Sequence, residues 1–247
     1  MSAAELVLLL LAGVAAGLVG AVTGLASVIA YPALLAAGLP PVTANVTNTV
    51  ALVFSGLGST LGARPELAGQ GRRMRVLGAA GLLGGAAGAV LLLVTPSSAF
   101  ARVVPWLIGV ASLCVLIPRP AAHPEPGARD RGWVVAATLL VSVYGGYFGA
   151  GAGVMLIAVL LVATAETLPQ SNAVKNAVLA CANCIAALAF IVFSDVRWLA
   201  ALPLAIGYFG GGLMGPWVTR RLPVRPLRVA IALAGVLIAI RLALQAY

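Results

Sequence analysis

The stretch from Leu168 to Cys184 reads LPQSNAVKNAVLACANC. It opens like a helix N-terminus, with Pro169, Ser171 and Asn172 ahead of an apolar run. Inside that run stands Lys175, the one lysine of the chain, with Asn176 beside it. An earlier stretch, LPPVTANVTNTV from Leu39 to Val50, is its twin: Pro40 matches Pro169 and Asn48 matches Asn176. A doubled polar helix start in otherwise apolar sequence predicts a duplicated membrane fold with a binding site between the two copies.

The surrounding composition agrees. Hydrophobic residues make up 62% of the 247 and charged residues 9%, with a mean hydropathy of +1.10. A soluble domain needs far more polar surface. Apolar blocks of roughly 20 residues recur, which predicts an all-α polytopic membrane protein embedded in a lipid bilayer. The alternating pattern of an outer-membrane barrel is absent. A net charge of +9 invites a nucleic-acid reading, but the arginines cluster in connections between blocks, at Arg64, Arg72, Arg73 and Arg75 and at Arg220, Arg221, Arg225 and Arg228. That is the positive-inside pattern of cytoplasmic loops, so no nucleic-acid partner is expected. At the N-terminus Glu5 stands where a secretory signal carries lysine or arginine, which predicts a retained first segment. Cys114, Cys181 and Cys184 lie in apolar blocks and read as small packing residues.

About eight apolar blocks follow one another. The first, Leu6 to Leu39, is too long for one perpendicular span and is broken by Gly13, Gly17, Gly20, Gly24 and Pro32. Trp133 to Thr164 is the same kind of block, broken by Gly145, Gly146, Gly149, Gly151 and Gly153. Broken or re-entrant backbone survives at membrane depth only where protein or a water-filled cavity covers it. Between the halves lies PRPAAHPEPGARDR, a polar stretch whose His123 reads as a solvated loop residue. The organisation expected is a first repeat over 1–117, a cytoplasmic linker over 118–131 and a second repeat over 132–247.

The duplication can be followed along the chain. Gly17, Gly20 and Gly24 match Gly146, Gly149 and Gly153 at an offset of 129; Val46, Asn48 and Val50 match Val174, Asn176 and Val178 at 128; Gly81, Gly84 and Gly85 match Gly207, Gly210 and Gly211 at 126. Order is kept with small monotonic gaps, which points to two homologous halves. In the first half the arginine-rich loop precedes the third block; in the second it precedes the fourth. Only inverted halves put both loops, with Arg119, Arg129 and Arg131 of the linker, on one face. The plasma membrane is then crossed an odd number of times per half.

An ammonium at the bilayer centre costs roughly 2.5–3.5 kcal/mol on insertion scales, so Lys175 calls for a reason. One reading has it near the helix end, snorkelling to the interface. The other is an anion site. There Lys175 gives charge, Asn172, Asn176 and Ser171 give donors, and the helix N-terminus adds its dipole and free N–H groups. Thr43, Asn45, Thr47 and Asn48 of the twin stretch would donate from the other side, and Gly20, Gly24, Gly149 and Gly153 would let backbone amides approach the ligand.

The pieces GLVGAVTG with LPPVTANVTN, and GGYFGAGAG with LPQSNAVKN, resemble the sulfite exporter TauE/SafE family of membrane transporters, over essentially the whole chain. Where family members commonly show a Thr-Ser pair, this chain has Thr47-Asn48 and Lys175-Asn176. The resemblance implies transport of a small anion across the plasma membrane, often a sulfur-containing one such as sulfite or an organosulfonate. An enzyme is not expected: the acids Glu5, Glu66, Glu125, Asp130, Glu166 and Asp195 lie at termini, loops or block ends, and neither a cofactor nor a metal site is expected. A channel or other permeation pathway is the alternative, but two inverted halves with one charged site suit alternating access better. With no P-loop in the sequence, concentrative transport would draw on a coupling ion, proton or sodium.

Overall fold

The computed structural model describes residues 1–114, 116, 132–164, 166–221 and 224–246. The linker read over 118–131, with His123, lies outside the described residues. Eleven helices are described, and no strand occurs among the described residues. They are α1 (Ala3–Thr23), α2 (Ala26–Ala36), α3 (Pro41–Gly62), the short α4 (Arg64–Leu67), α5 (Gly71–Val94) and α6 (Ser97–Cys114). After the linker come α7 (Gly132–Tyr147), α8 (Ala152–Ala163), α9 (Leu168–Phe193), α10 (Trp198–Arg221) and α11 (Val224–Ala246).

Each long glycine-broken block is thus two helices, α1 with α2 and α7 with α8. Among the described residues five helices, α1, α5, α6, α9 and α10, are long and apolar enough to cross a membrane. At 1.5 Å per residue α2 and α8 reach only about 16–18 Å, too short to cross a core of about 30 Å alone. Local signals set the boundaries. Ser2 and Glu5 form a capping box at the start of α1, and Thr167 and Gln170 form another at the start of α9. Pro41 and Pro169 sit in the first turns of α3 and α9, where the missing N–H loses no hydrogen bond. Large side chains such as Leu83, Leu140, Val192 and Phe193 face outward, as lipid requires.

Glycines allow the helices to touch backbone on backbone. Gly13 packs on Leu204 and Gly207, Gly17 on Tyr208 and Gly212, and Gly215 on Ala21, so α1 and α10 run parallel. Gly58 on Phe209 and Gly62 on Leu213 make α3 parallel to α10 as well. Likewise Gly84 on Leu139 and Gly88 on Val143 make α5 parallel to α7, and Gly81 on Val178 and Gly85 on Ala182 make it parallel to α9. Two ion pairs mark the face where these sets meet. Arg220, at the end of α10, holds Glu66 in the turn after α3; Arg73, near the start of α5, holds Glu166 just before α9. Hence α1, α3 and α10 run toward this arginine-rich face, and α5, α7 and α9 run away from it.

The packing also refines one match made in sequence. Gly84 and Gly88 rest on the carbonyls of Leu139 and Val143, and Gly207 and Gly211 rest on those of Leu10 and Val14. The carbonyls keep the offset of 129 (139 − 10, 143 − 14), while the glycines are 123 apart (207 − 84, 211 − 88). That is three residues, just under one helical turn, from the offset of 126. Glycines spaced three and four apart match themselves again after such a slip, so sequence cannot choose the register.

Candidate functional site

The two breaks in the long blocks meet at the centre of the molecule. Gly24, which ends α1, has φ 91°, and Gly149, between α7 and α8, has φ 79°. Both lie in the left-handed region that glycine enters without a steric cost. A Cβ on Gly24 would stand 2.5 Å from the Cα and carbonyl carbon of Gly153, so α1's end and α8's first turn are in backbone contact. These two glycines are the pair matched at an offset of 129. Breaks end helices early and leave carbonyls without an intrahelical partner.

Side chains from the polar helix starts answer that need. At the end of α1, Asn172 Nδ2 donates to Ala21 O at 2.8 Å, Asn176 Nδ2 to the same oxygen at 3.2 Å, and Lys175 Nζ to Ala21 O at 3.2 Å and Gly20 O at 3.3 Å. At the end of α7, Asn45 Nδ2 donates to Tyr147 O at 2.9 Å. Lys175 is fully buried, which removes the snorkelling reading. Its amino group instead donates to the carbonyl end of α1, whose own last turn has no basic residue.

Beside these ends lies a cavity of about 50 Å³, room for roughly four waters or one small ion. Its walls are Gly20, Ala21, Gly24, Ala26 and Ser27 around the first break, and Gly145, Gly149, Ala152 and Gly153 around the second. Leu52, Ser55, Gly56 and Ser59 of α3 and Asn176, Leu179, Ala180 and Asn183 of α9 complete it. The helices α2 and α8 begin in this wall, and neither start carries a side-chain cap. The N–H groups of Val28, Ala152 and Val154 donate to the carbonyls of Leu25, Gly149 and Gly151, which leaves those of Ser27 and Gly153 for an anion. None of the lining residues is acidic. A relay sets the one hydroxyl at the α2 start: Tyr208 Oη donates to Asn48 Oδ1 at 2.7 Å, and Asn48 Nδ2 donates to Ser27 Oγ at 3.1 Å. With its oxygen accepting from Asn48, the Ser27 hydroxyl has its proton to give.

Of the residues singled out in sequence, Gly20, Gly24, Gly149, Gly153 and Asn176 line the cavity. Lys175 does not; it stands behind the wall on carbonyls of two residues that do. Asn172 lines a smaller space of about 10 Å³ toward Glu66 and Thr219, which Asn176 also borders. Asn48 acts through Ser27, and Asn45 on α7. Thr47 Oγ1 accepts from the Arg197 amide at 3.1 Å. Ser171 is buried, Thr43 half-buried, and neither borders the cavity. Ser27, Ser55, Ser59 and Tyr208 were not singled out in sequence; a serine three residues past the Gly24 break was the one available signal for Ser27.

At the arginine-rich face, Arg220 clamps Glu66 by Nε to Oε1 at 2.6 Å and Nη2 to Oε2 at 2.7 Å, and also donates to Gly62 O. The Arg220 guanidinium holds the Glu66 carboxyl below the usual carboxylate range. Glu166 accepts from both Arg73 and Gln70.

Comparison with known proteins accords with this architecture. A model of the family "Sulfite exporter TauE/SafE" matches residues 9–242. A Sinorhizobium sp protein named "Probable membrane transporter protein ORF9" is 24% identical over 246 residues, 96% of this chain and 92% of that one. The Escherichia coli K12 protein "Probable membrane transporter protein YfcA" is 24% identical over 209 residues, 81% of this chain and 75% of that one. No solved structure matches significantly.

Proposed function

The chain belongs to the sulfite exporter TauE/SafE family of multi-pass membrane transporters, and from that premise we propose that it carries a small anion through the cavity between its two helix breaks by alternating access. The observation that carries this reading is the pair of uncapped helix starts, α2 and α8, opening on one small cavity without an acidic wall residue. Two dipole N-termini, the Ser27 hydroxyl and the amides of Asn176 and Asn183 suit a compact oxyanion. Sulfite or a small organosulfonate has the size and the acceptor oxygens for it.

The helix directions support two inverted repeats. α1 and α7, α3 and α9, and α5 and α10 are pairs of corresponding helices, and within each pair the two run opposite ways. In this reading the arginine-rich face is cytoplasmic, and an ion gradient drives any accumulation. Rocking of one repeat against the other would open the cavity to each side in turn, with Asn176 between it and the small space under Glu66. Uptake of labelled sulfite, sulfate, thiosulfate, sulfoacetate and taurine into proteoliposomes tests the proposal. Saturable uptake of one of them, competed by the unlabelled compound, is expected. Current without saturation would replace the transporter with a channel, and no uptake of any anion would remove the substrate class.

A further inference from the structure

Transporters with interrupted helices use the C-terminal carbonyls of the broken half to hold a coupling cation. In this chain that position is taken. Three donors reach Ala21 O, and one of them is the fully buried ammonium of Lys175, which also reaches Gly20 O. The matching position of the first half, at an offset of 128, is Thr47, a neutral residue whose hydroxyl serves the Arg197 amide. One turn before Lys175, on the same face of α9, the buried Asn172 Oδ1 and Ser171 Oγ have no hydrogen-bond partner. Carbonyl, amide and hydroxyl oxygens of this kind are hard donors suited to an alkali cation.

We propose that Lys175 is a resident cation: its ammonium fills, within the chain, the place at the end of α1 where a coupling sodium ion would bind, so this transporter works without sodium. The inference rests on the transporter reading for its consequence but not for its geometry. A shorter side chain should turn the same oxygens into a vacant sodium site. Lys175→Thr supplies one more hydroxyl and leaves the space open. Lys175→Met removes the charge yet keeps the space filled.

The test is the unfolding midpoint of the purified full-length protein in detergent, in sodium chloride against choline chloride at equal ionic strength. Wild type and Lys175→Met should give the same midpoint in both salts. Lys175→Thr should rise in sodium alone, saturably, by roughly 5 °C at saturation. Sodium binding by the wild type, seen as a saturable rise of the midpoint over choline, would overturn the proposal, as would a Lys175→Thr protein indifferent to sodium. If Lys175→Thr does not fold, the wild-type comparison decides, joined by uptake into proteoliposomes with choline replacing sodium. Uptake that stops in choline overturns the proposal; unchanged uptake supports it. The absence of any anion uptake beside the expected sodium response would sink the transport reading and leave the resident cation standing.

Discussion

Where α1 stops, three side chains of α9 converge on its last carbonyls, one of them a lysine; where α7 stops, a single asparagine of α3 does the same. The frame is shared, since each polar helix start caps a broken helix, α9 that of α1 and α3 that of α7. The chemistry differs because the two ends have different neighbours. Gly20 and Ala21 line the cavity, whereas Tyr147 does not. Without Lys175, the Gly20 and Ala21 carbonyls, answered only by the Gly24 N–H and by two neutral amides, would set a negative potential beside the place proposed for an anion. A charge is therefore placed at the end that needs it, and an amide suffices at the other.

The largest effects are expected where the breaks touch. Gly24→Ala would press a Cβ against Gly153 backbone and force an alanine into positive φ, costing about 3 kcal/mol or more. Gly149→Ala at the other break has the same φ difficulty, but its Cβ meets only Gly145 O, at 2.9 Å. It should lose about 1–2 kcal/mol. Unfolding midpoints of the two purified variants sort them, and equal losses would mean that the α1–α8 contact adds nothing to the backbone strain.

Next comes a dissociation between the two caps. Lys175→Met should weaken anion binding about tenfold or more, since the Ala21 carbonyl then keeps only its two neutral amide donors beside the cavity. Asn45→Ala should leave affinity nearly unchanged while lowering stability by about 1–3 kcal/mol, through the Tyr147 carbonyl left alone. Calorimetric titration with the best transported anion separates the two. The asymmetry argument fails if Asn45→Ala weakens binding as much as Lys175→Met.

This cap was only half legible in sequence. The apolar blocks, the arginine clusters and the twin LP stretches led to an all-helical membrane protein and to Lys175 and its asparagines as a polar focus. Their target was not legible. Proline and a polar residue announce where α9 begins, but nothing in LPQSNAVKN tells that its side chains would meet the end of α1, more than 150 residues earlier. An intramembrane lysine and a helix N-terminus read naturally as one anion site. The structure separates them: the uncapped N-termini at the cavity are those of α2 and α8, while the lysine serves a C-terminus. Glycine runs announced where the backbone breaks, at Gly24 and Gly149, because a positive φ is a local demand. The Tyr208–Asn48–Ser27 relay joins three helices and leaves no local pattern at all.

That relay allows a finer comparison of the two helix starts at the cavity. α2 offers a side-chain donor, Ser27, aimed through Asn48, whereas the first turn of α8 offers only the backbone N–H of Gly153, since that of Ala152 donates to Gly149 O. Tyr208→Phe removes the first hydrogen bond and lets the Asn48 amide turn. Affinity for the anion should fall about threefold, within the 0.5–1.5 kcal/mol of a neutral hydrogen bond. Ser27→Ala should fall at least as far, and combining it with Tyr208→Phe should add nothing. Additive losses would show that Tyr208 does not act through Ser27.

The smallest effect is expected at the arginine-rich face, where the two halves are tied by unequal pairs. Arg73–Glu166 is the more enclosed, while the Arg220 side chain is 37% exposed. Solvent screens the second pair, which leaves it about 0.2–1 kcal/mol despite its bidentate geometry. Glu66 is held below the usual carboxylate range, so the stability it contributes is present above its unfolded value of about 4.3 and is lost as pH falls through the lowered one. Wild type should accordingly show no change from this pair between pH 6 and 8. Glu66→Gln should lower the midpoint by about 1–3 °C at pH 7, and the two proteins should converge once acid has protonated Glu66. A difference that stays constant down to pH 3 would show that the carboxylate charge is not what holds Arg220, and would leave Arg73–Glu166 as the tie that matters.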